Sequence, residues 1–232
     1  MIVRGPYIIR DELTLYLDAA NKKSYPRTGD VWKDLSGNRN DANLIDSPVF
    51  NTGDGGYFYF SGVDDKAEVP THVIPPTGPF SVTIIYQLPG NSTLRGGIFE
   101  RKTTSPYNGI SLGQSGSANW GFTVSSDIDA GNRLGLSWDF PTANIWYMDV
   151  GTFNGTNSIS IYRNGSFVDS VTGFTQGNLD TQGTRQDFSI ASRSTVELEC
   201  KIAYIMVHQK ELLQPEVTQN FNAVRGRFGL WK

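Results

Sequence analysis

The chain has 232 residues, enough to bury roughly 70% of its unfolded surface without disulfide or metal staples. Aromatic residues make up 12%, charged residues only 19%, and there are 25 glycines, a balance that favours strands and turns over helices. A formal charge of -3, from 20 basic and 23 acidic residues, excludes the basic stripe of a nucleic-acid binder.

The first segment, Met1 to Arg10, carries apolar Ile2, Val3, Tyr7, Ile8 and Ile9, with Pro6 interrupting. It lacks the apolar h-region of a signal peptide, which together with Met1 predicts a product folded in a cytoplasm. The single cysteine, Cys200, suits that reducing setting and rules out an internal disulfide. Residues 1–12 read as an N-terminal arm. Such an arm either adds to a neighbouring sheet edge or subunit, through Ile2, Val3, Tyr7, Ile8 and Ile9, or packs on its own domain.

Residues 13–232 read as one domain, because no long linker and no repeat divides them. Turn signals such as Ser36-Gly37-Asn38, Asp54-Gly55-Gly56, Pro89-Gly90 and Asn154-Gly155 separate short apolar or alternating runs. Strands are predicted near Leu13–Leu17, Tyr57–Phe60, Phe80–Gln87, Gly97–Glu100, Ile110–Leu112, Gly121–Val124, Arg133–Trp138, Trp146–Phe153, Ser158–Arg163, Ser166–Val171, Asp187–Ala191 and Lys201–His208. Asn164-Gly165 suits a type I′ turn, which pairs Arg163 with Ser166, Tyr162 with Phe167 and Ile161 with Val168. Lys201–His208 is apolar on both faces, with Ile202, Tyr204 and Met206 on one and Ala203, Ile205 and Val207 on the other, as in a central strand covered on both sides. One short C-terminal helix is predicted, with Pro215 at its first position and Gly226 as its stop. Its stripe of Val217, Phe221 and Val224 is expected to pack on the sandwich edge. The fold class is therefore all-β, an antiparallel β-sandwich with one short C-terminal helix.

Several stretches carry a resemblance. They are Leu13-Thr-Leu-Tyr-Leu-Asp-Ala-Ala-Asn21 leading to Trp32-Lys-Asp-Leu-Ser-Gly-Asn38, then Tyr59-Phe-Ser-Gly-Val-Asp-Asp65, then Trp146 through Gly151-Thr-Phe-Asn-Gly155 to Tyr162-Arg-Asn-Gly165, and the closing Gln219-Asn-Phe-Asn222 and Arg225-Gly-Arg-Phe-Gly229. In that order they resemble the concanavalin A-like lectin/glucanase superfamily, in the laminin-G-like form found in tailed-phage virion structural proteins. The resemblance implies a jelly roll. It implies a virion structural protein on the phage particle exterior, a head decoration or cement subunit docked on the major capsid protein or other virion proteins. The alternative it leaves is a glycan-binding tail or fibre adhesin for host attachment, with cell-surface glycans as partners. Neither reading calls for nucleic acid or membrane, and either admits a homo-oligomer on the particle.

Glucanases of this superfamily alternate acids along one strand, and Glu197-Leu-Glu199 is the nearest match, without the third acid. Only His72 and His208 exist, with no Gly-x-Ser-x-Gly elbow, no zinc spacing and no phosphate loop. His208 is expected to be a capping or surface residue. No enzyme activity and no required cofactor are expected. Calcium is the one ion the sequence admits, at Asp64, Asp65, Asp127 or Asp129. A glycan would stack on aromatic rings near loops, for which Tyr107, Trp120 and Trp138 are the candidates.

Overall fold

A computed structural model describes residues 6–90, 97–102, 109–115, 119–126, 132–175, 179, 187–193 and 196–230. The strands in its first half are β1 (Leu13–Asp18), β2 (Val31–Trp32), β3 (Ala42–Ile45), β4 (Val49–Asn51), β5 (Tyr57–Phe60), β6 (Lys66–Val69), β7 (Phe80–Gln87), β8 (Gly97–Lys102) and β9 (Gly109–Ser115). Those in the second half are β10 (Asn119–Ser125), β11 (Arg133–Asp139), β12 (Trp146–Phe153), β13 (Ser158–Arg163), β14 (Ser166–Thr172), β15 (Phe188–Ile190), β16 (Ser192–Arg193), β17 (Val196–Glu197) and β18 (Cys200–His208). A helix, α1 (Gln214–Phe228), follows them.

These form two eight-stranded antiparallel sheets. The first runs β14-β13-β12-β7-β18-β5-β4, with β1 also paired to β18, so β5 and β1 share one flank of that strand end to end. The second runs β11-β10-β9-β8-β15-β6-β3-β2. β16 and β17 make a separate small hairpin. Between the sheets lies an aromatic-rich core that includes Trp32, Phe58, Phe60, Phe80, Phe99, Phe122 and Phe188. Pairs such as Phe99–Phe188, stacked with centroids 4.8 Å apart, fill its centre.

The helix adds a third layer. Val217, Phe221, Val224 and Phe228 lie on Ile85, Trp146, Met148, Tyr204 and Met206, across the outer face of the first sheet. The expected seat on the sandwich edge is thus corrected. The middle strands carry apolar residues on both faces, so a second cover was needed. That is why every residue of β7 is buried. The helix also runs through Gly226, the expected stop. A Cβ there would meet no atom within 4 Å, and the left-handed cap is Gly229 at φ 63°. At its start, Leu213 has no side-chain oxygen, so Glu216 reaches back and accepts the Leu213 N–H at 3.0 Å.

Two bulges shift the predicted registers. In β18 the pairing with β7 slips between Ile202 and Tyr204. Ile202 therefore faces the inter-sheet core with Ile205 and Val207, while Ala203 joins Tyr204 and Met206 under the helix. In the β13–β14 hairpin, Arg163 opposes Ser166 and Tyr162 opposes Phe167 as expected, with the two rings 5.7 Å apart. Ile161 then opposes Asp169 rather than Val168. The turn itself is docked. Gly165, at φ 78°, accepts bonds from Gln214 and Thr218 of α1, and a Cβ there would fall 2.8 Å from the Phe221 ring.

Candidate functional site

Along β12 the pleat sends Met148 and Val150 outward to the helix and Tyr147, Asp149 and Gly151 toward the second sheet. Gly151 leaves room for the Phe122 ring, which would sit 2.7 Å from a Cβ. Asp149 is fully buried, and its register partner on β13 is Arg163. The Arg163 Nε and Nη2 donate to the two Asp149 oxygens, each at 2.8 Å. Tyr86 of β7 donates its hydroxyl to Asp149 Oδ2 at 2.6 Å, and Arg163 Nη1 donates to the Asp139 carbonyl at 3.0 Å. Burial works against the Arg163 charge, but the Asp149 carboxylate more than offsets it and holds the guanidinium above its ordinary range. Burial, with the Asp149 charge adding to it, pushes the Tyr86 phenol well up.

Aromatic rings surround this ion pair. Tyr147 and Trp138 flank the guanidinium, at 4.5 and 5.7 Å from their centroids. Tyr86 stacks on Trp120 at 5.1 Å, and Phe140 meets Trp120 edge-on at 5.6 Å. Trp138, Phe140 and Tyr147 are only half-buried, while Trp120 and Tyr86 are sealed beneath them. The Trp138 indole N–H is buried and has no partner among the described residues, and the Tyr147 hydroxyl accepts the Thr142 N–H at 3.2 Å. The result is a shelf of three part-exposed rings on a rigid, charge-neutralised base. Such a shelf can stack a flat apolar face and offer a few directional polar groups.

Of the two aromatic candidates among the described residues, Trp138 reaches this shelf and Trp120 does not. Trp120 is a core ring with no exposed surface, so it braces the site rather than meeting a ligand. Tyr107 lies outside the described residues. The sequence reading missed Tyr147, Phe140, Asp149 and Arg163. A signal was present, since an Asp in the apolar run Trp146-Tyr-Met-Asp-Val150 needs a buried partner.

The acidic candidates divide in the same way. Both Asp65 oxygens accept the Ser61 N–H, at 2.8 and 2.9 Å, and the Ser61 hydroxyl donates to Oδ1, so this carboxylate pins the turn between β5 and β6. Asp64 beside it is exposed. Asp127 and Asp129 lie outside the described residues. Among the described residues no three His, Cys, Asp or Glu side chains converge on one point. Glu199 accepts the Tyr59 hydroxyl at 2.8 Å, a bond that, with burial, pushes that phenol up to about 12. Glu197 ends the small β17 strand, and Leu198 between the two acids is buried.

The arm candidates beyond Pro6 lie on the protein's own surface. Ile8 and Ile9 pack against the helix-side core, and Tyr7 is 63% exposed. Ile2 and Val3 fall outside the described residues. His208 corrects its expectation outright, because the ring is fully buried at the end of β18.

Two stacked antiparallel sheets with a rim of part-exposed aromatics define a lectin-like sandwich. A family model described as the concanavalin A-like lectin/glucanases superfamily matches residues 60–218, more than half of the chain, and the protein belongs to that superfamily. A search of curated proteins gives no match. Among solved structures, the binding domain of Paraclostridial Mosquitocidal Protein 1 is similar with a TM-score of 0.71 at 13% identity, over 92% of this chain and 52% of that one. The binding domain of botulinum neurotoxin DC, in complex with rat synaptotagmin II, gives 0.68 at 16% identity, over 93% and 52%. Domain 4 of AbnA, a GH43 extracellular arabinanase from Geobacillus stearothermophilus, in complex with arabinotriose, gives 0.68 at 18% identity, over 91% and 98%. The chain thus spans about half the length of the toxin domains and nearly all of the arabinanase domain. At these identities the likeness is one of fold.

Proposed function

We propose that this protein is a non-catalytic binding module that recognises a glycan on the shelf formed by Trp138, Phe140 and Tyr147. The carrying observation is the grip of Trp138 and Tyr147 on Arg163, whose charge is spent on buried Asp149. That pair fixes the ring faces in advance, which lowers the ordering cost of binding. The arabinanase domain, of nearly the same extent, is seen with arabinotriose, which supports a short oligosaccharide as the ligand class. Both acids that resemble glucanase residues are set apart by buried Leu198, and Glu199 is tied to Tyr59, which supports binding without hydrolysis.

A glycan array that includes arabino-oligosaccharides tests the reading. The intact protein is expected to bind at least one oligosaccharide. Trp138→Ala is expected to weaken that binding by roughly tenfold or more, on the scale of one lost aromatic contact, while circular dichroism still reports a folded β protein. An array without hits, or a Trp138→Ala protein that binds as well as the parent, overturns it.

The sequence resemblance to tailed-phage structural proteins supports a second, finer reading. In it the module decorates the exterior of a virion, docked on the major capsid protein. Electron microscopy of intact particles tests it: density for this domain on the head supports decoration, density on a tail or fibre supports an adhesin, and absence from the particle rejects both.

A further inference from the structure

The segment from Tyr7 to Glu12 is strapped to the domain by side chains that the glycan shelf does not use. Its central residue, Ile9, is held on both backbone groups. The Ile9 N–H donates to Asn220 Oδ1 of α1 at 2.7 Å, and the Ile9 carbonyl accepts from His208 Nε2 at 3.1 Å. Asn220 and His208 are both fully buried. Each also keeps one polar atom without a partner among the described residues, His208 Nδ1 and Asn220 Nδ2. On either side, Gln219 donates to the Tyr7 carbonyl at 2.8 Å and the Gln209 N–H donates to the Glu12 carbonyl at 2.8 Å. Lys210 bridges Asp11 of the strap and Glu216 of the helix, each at 2.9 Å.

A carbonyl can only accept, so Nε2 carries the hydrogen of the bond to Ile9, and in the neutral ring Nδ1 is left with a bare lone pair. A second proton would have to sit on that buried atom, which has no partner among the described residues. We propose that the Tyr7–Glu12 strap is an acid-released latch, closed while His208 is neutral and let go when the imidazole takes its second proton.

The charged groups facing the ring are Asp11 of the strap, Glu216 of the helix and Lys210 of the loop between them, and β7 contributes only Ser81. Burial pushes the His208 imidazole below its ordinary value of 6.5. The Ile9 carbonyl and Glu216 pull the other way, Lys210 adds to the depression, and Asp11 pulls weakly upward. The sign follows. With the strap open, water reaches the ring and its ordinary value returns, so the open form binds more protons. Closure is fully favoured above about 6.5 and weakens as the pH falls below that value. Release would free the N-terminal segment and bare the apolar ground under Ile8 and Ile9.

Hydrogen exchange of the 6–12 peptide, corrected for the intrinsic effect of pH, tests this on the full chain at pH 7.5 and pH 5. The strap peptide is expected to exchange several times faster at the lower pH, while a peptide from β7 keeps its protection. His208→Gln, which retains an amide donor toward Ile9 but cannot be protonated, is expected to remove the pH step. A strap peptide insensitive to pH, a His208→Gln protein with the same step, or a β7 peptide that loosens in parallel overturns the latch. If the variant does not fold, the parent decides alone. The chain has two histidines, so the His208 resonances are readily told apart by NMR, and the His208 transition must coincide with strap opening.

Discussion

Asp149 shows how one residue commits a region of the molecule. A carboxylate in the middle of β12 is affordable only because three donors reach it, two from Arg163 and one from Tyr86. Removing it strands the guanidinium between Trp138 and Tyr147 with only the Asp139 carbonyl and the Tyr86 hydroxyl as partners. Asp149→Ala is expected to cost about 3–5 kcal/mol of stability, measured by urea denaturation, because a largely buried charge loses its counter-ion. It is also expected to loosen the rings and weaken any glycan that stacks on them. A variant as stable as the parent would show that the pair is dispensable.

At the scale of elements, β14 is the exposed edge of the first sheet, with Phe167 at 53% and Val168 at 39% exposure. Such an edge invites pairing with another chain. The bulge at Val168 and the charge of Asp169 oppose it, since a second antiparallel copy centred there would set Asp169 against Asp169. Asp169→Val is therefore expected to give concentration-dependent association by light scattering, where the parent shows less. Equal scattering at all concentrations would remove this role for Asp169.

The elements also show what the sequence could and could not disclose. The long strands β7, β12 and β13 were legible to the residue, because each is an apolar run closed by a clear turn signal. Strands β2, β3, β4, β6, β16 and β17 were not, although β5 is no longer than β3 or β6, because only Tyr57–Phe60 among these short strands is an unbroken aromatic run. Both bulges were silent as well: one extra residue in β18 or β14 leaves the apolar pattern intact and moves only the faces. Trp138 could be flagged as an aromatic near a loop. Tyr147 and Arg163 could not, because they meet it only where one sheet packs on the other, whereas Phe140 stands two residues away in the sequence.

At the scale of the whole molecule, the core between the sheets is built without the arm, whereas the helix layer borrows Ile8 and Ile9 for part of its cover. Deleting residues 1–10 is expected to leave a folded β protein by circular dichroism. Its stability should fall by about 2–4 kcal/mol, from partial burial of two isoleucines and the lost bonds to Asn220 and His208. An unchanged melting curve would mean that the arm contributes nothing to the fold.

The third layer has a geometric consequence for anything joined to this domain. Ile8 and Ile9 near one end of the chain and Phe228 and Leu230 near the other all rest on the helix side of the first sheet. Anything tied to the domain through Ile8 or Leu230 would pull on that same flank. The far side of the sandwich, where Arg133, Gly135, Ser137 and Asp139 of β11 are exposed, would then face outward from the anchor.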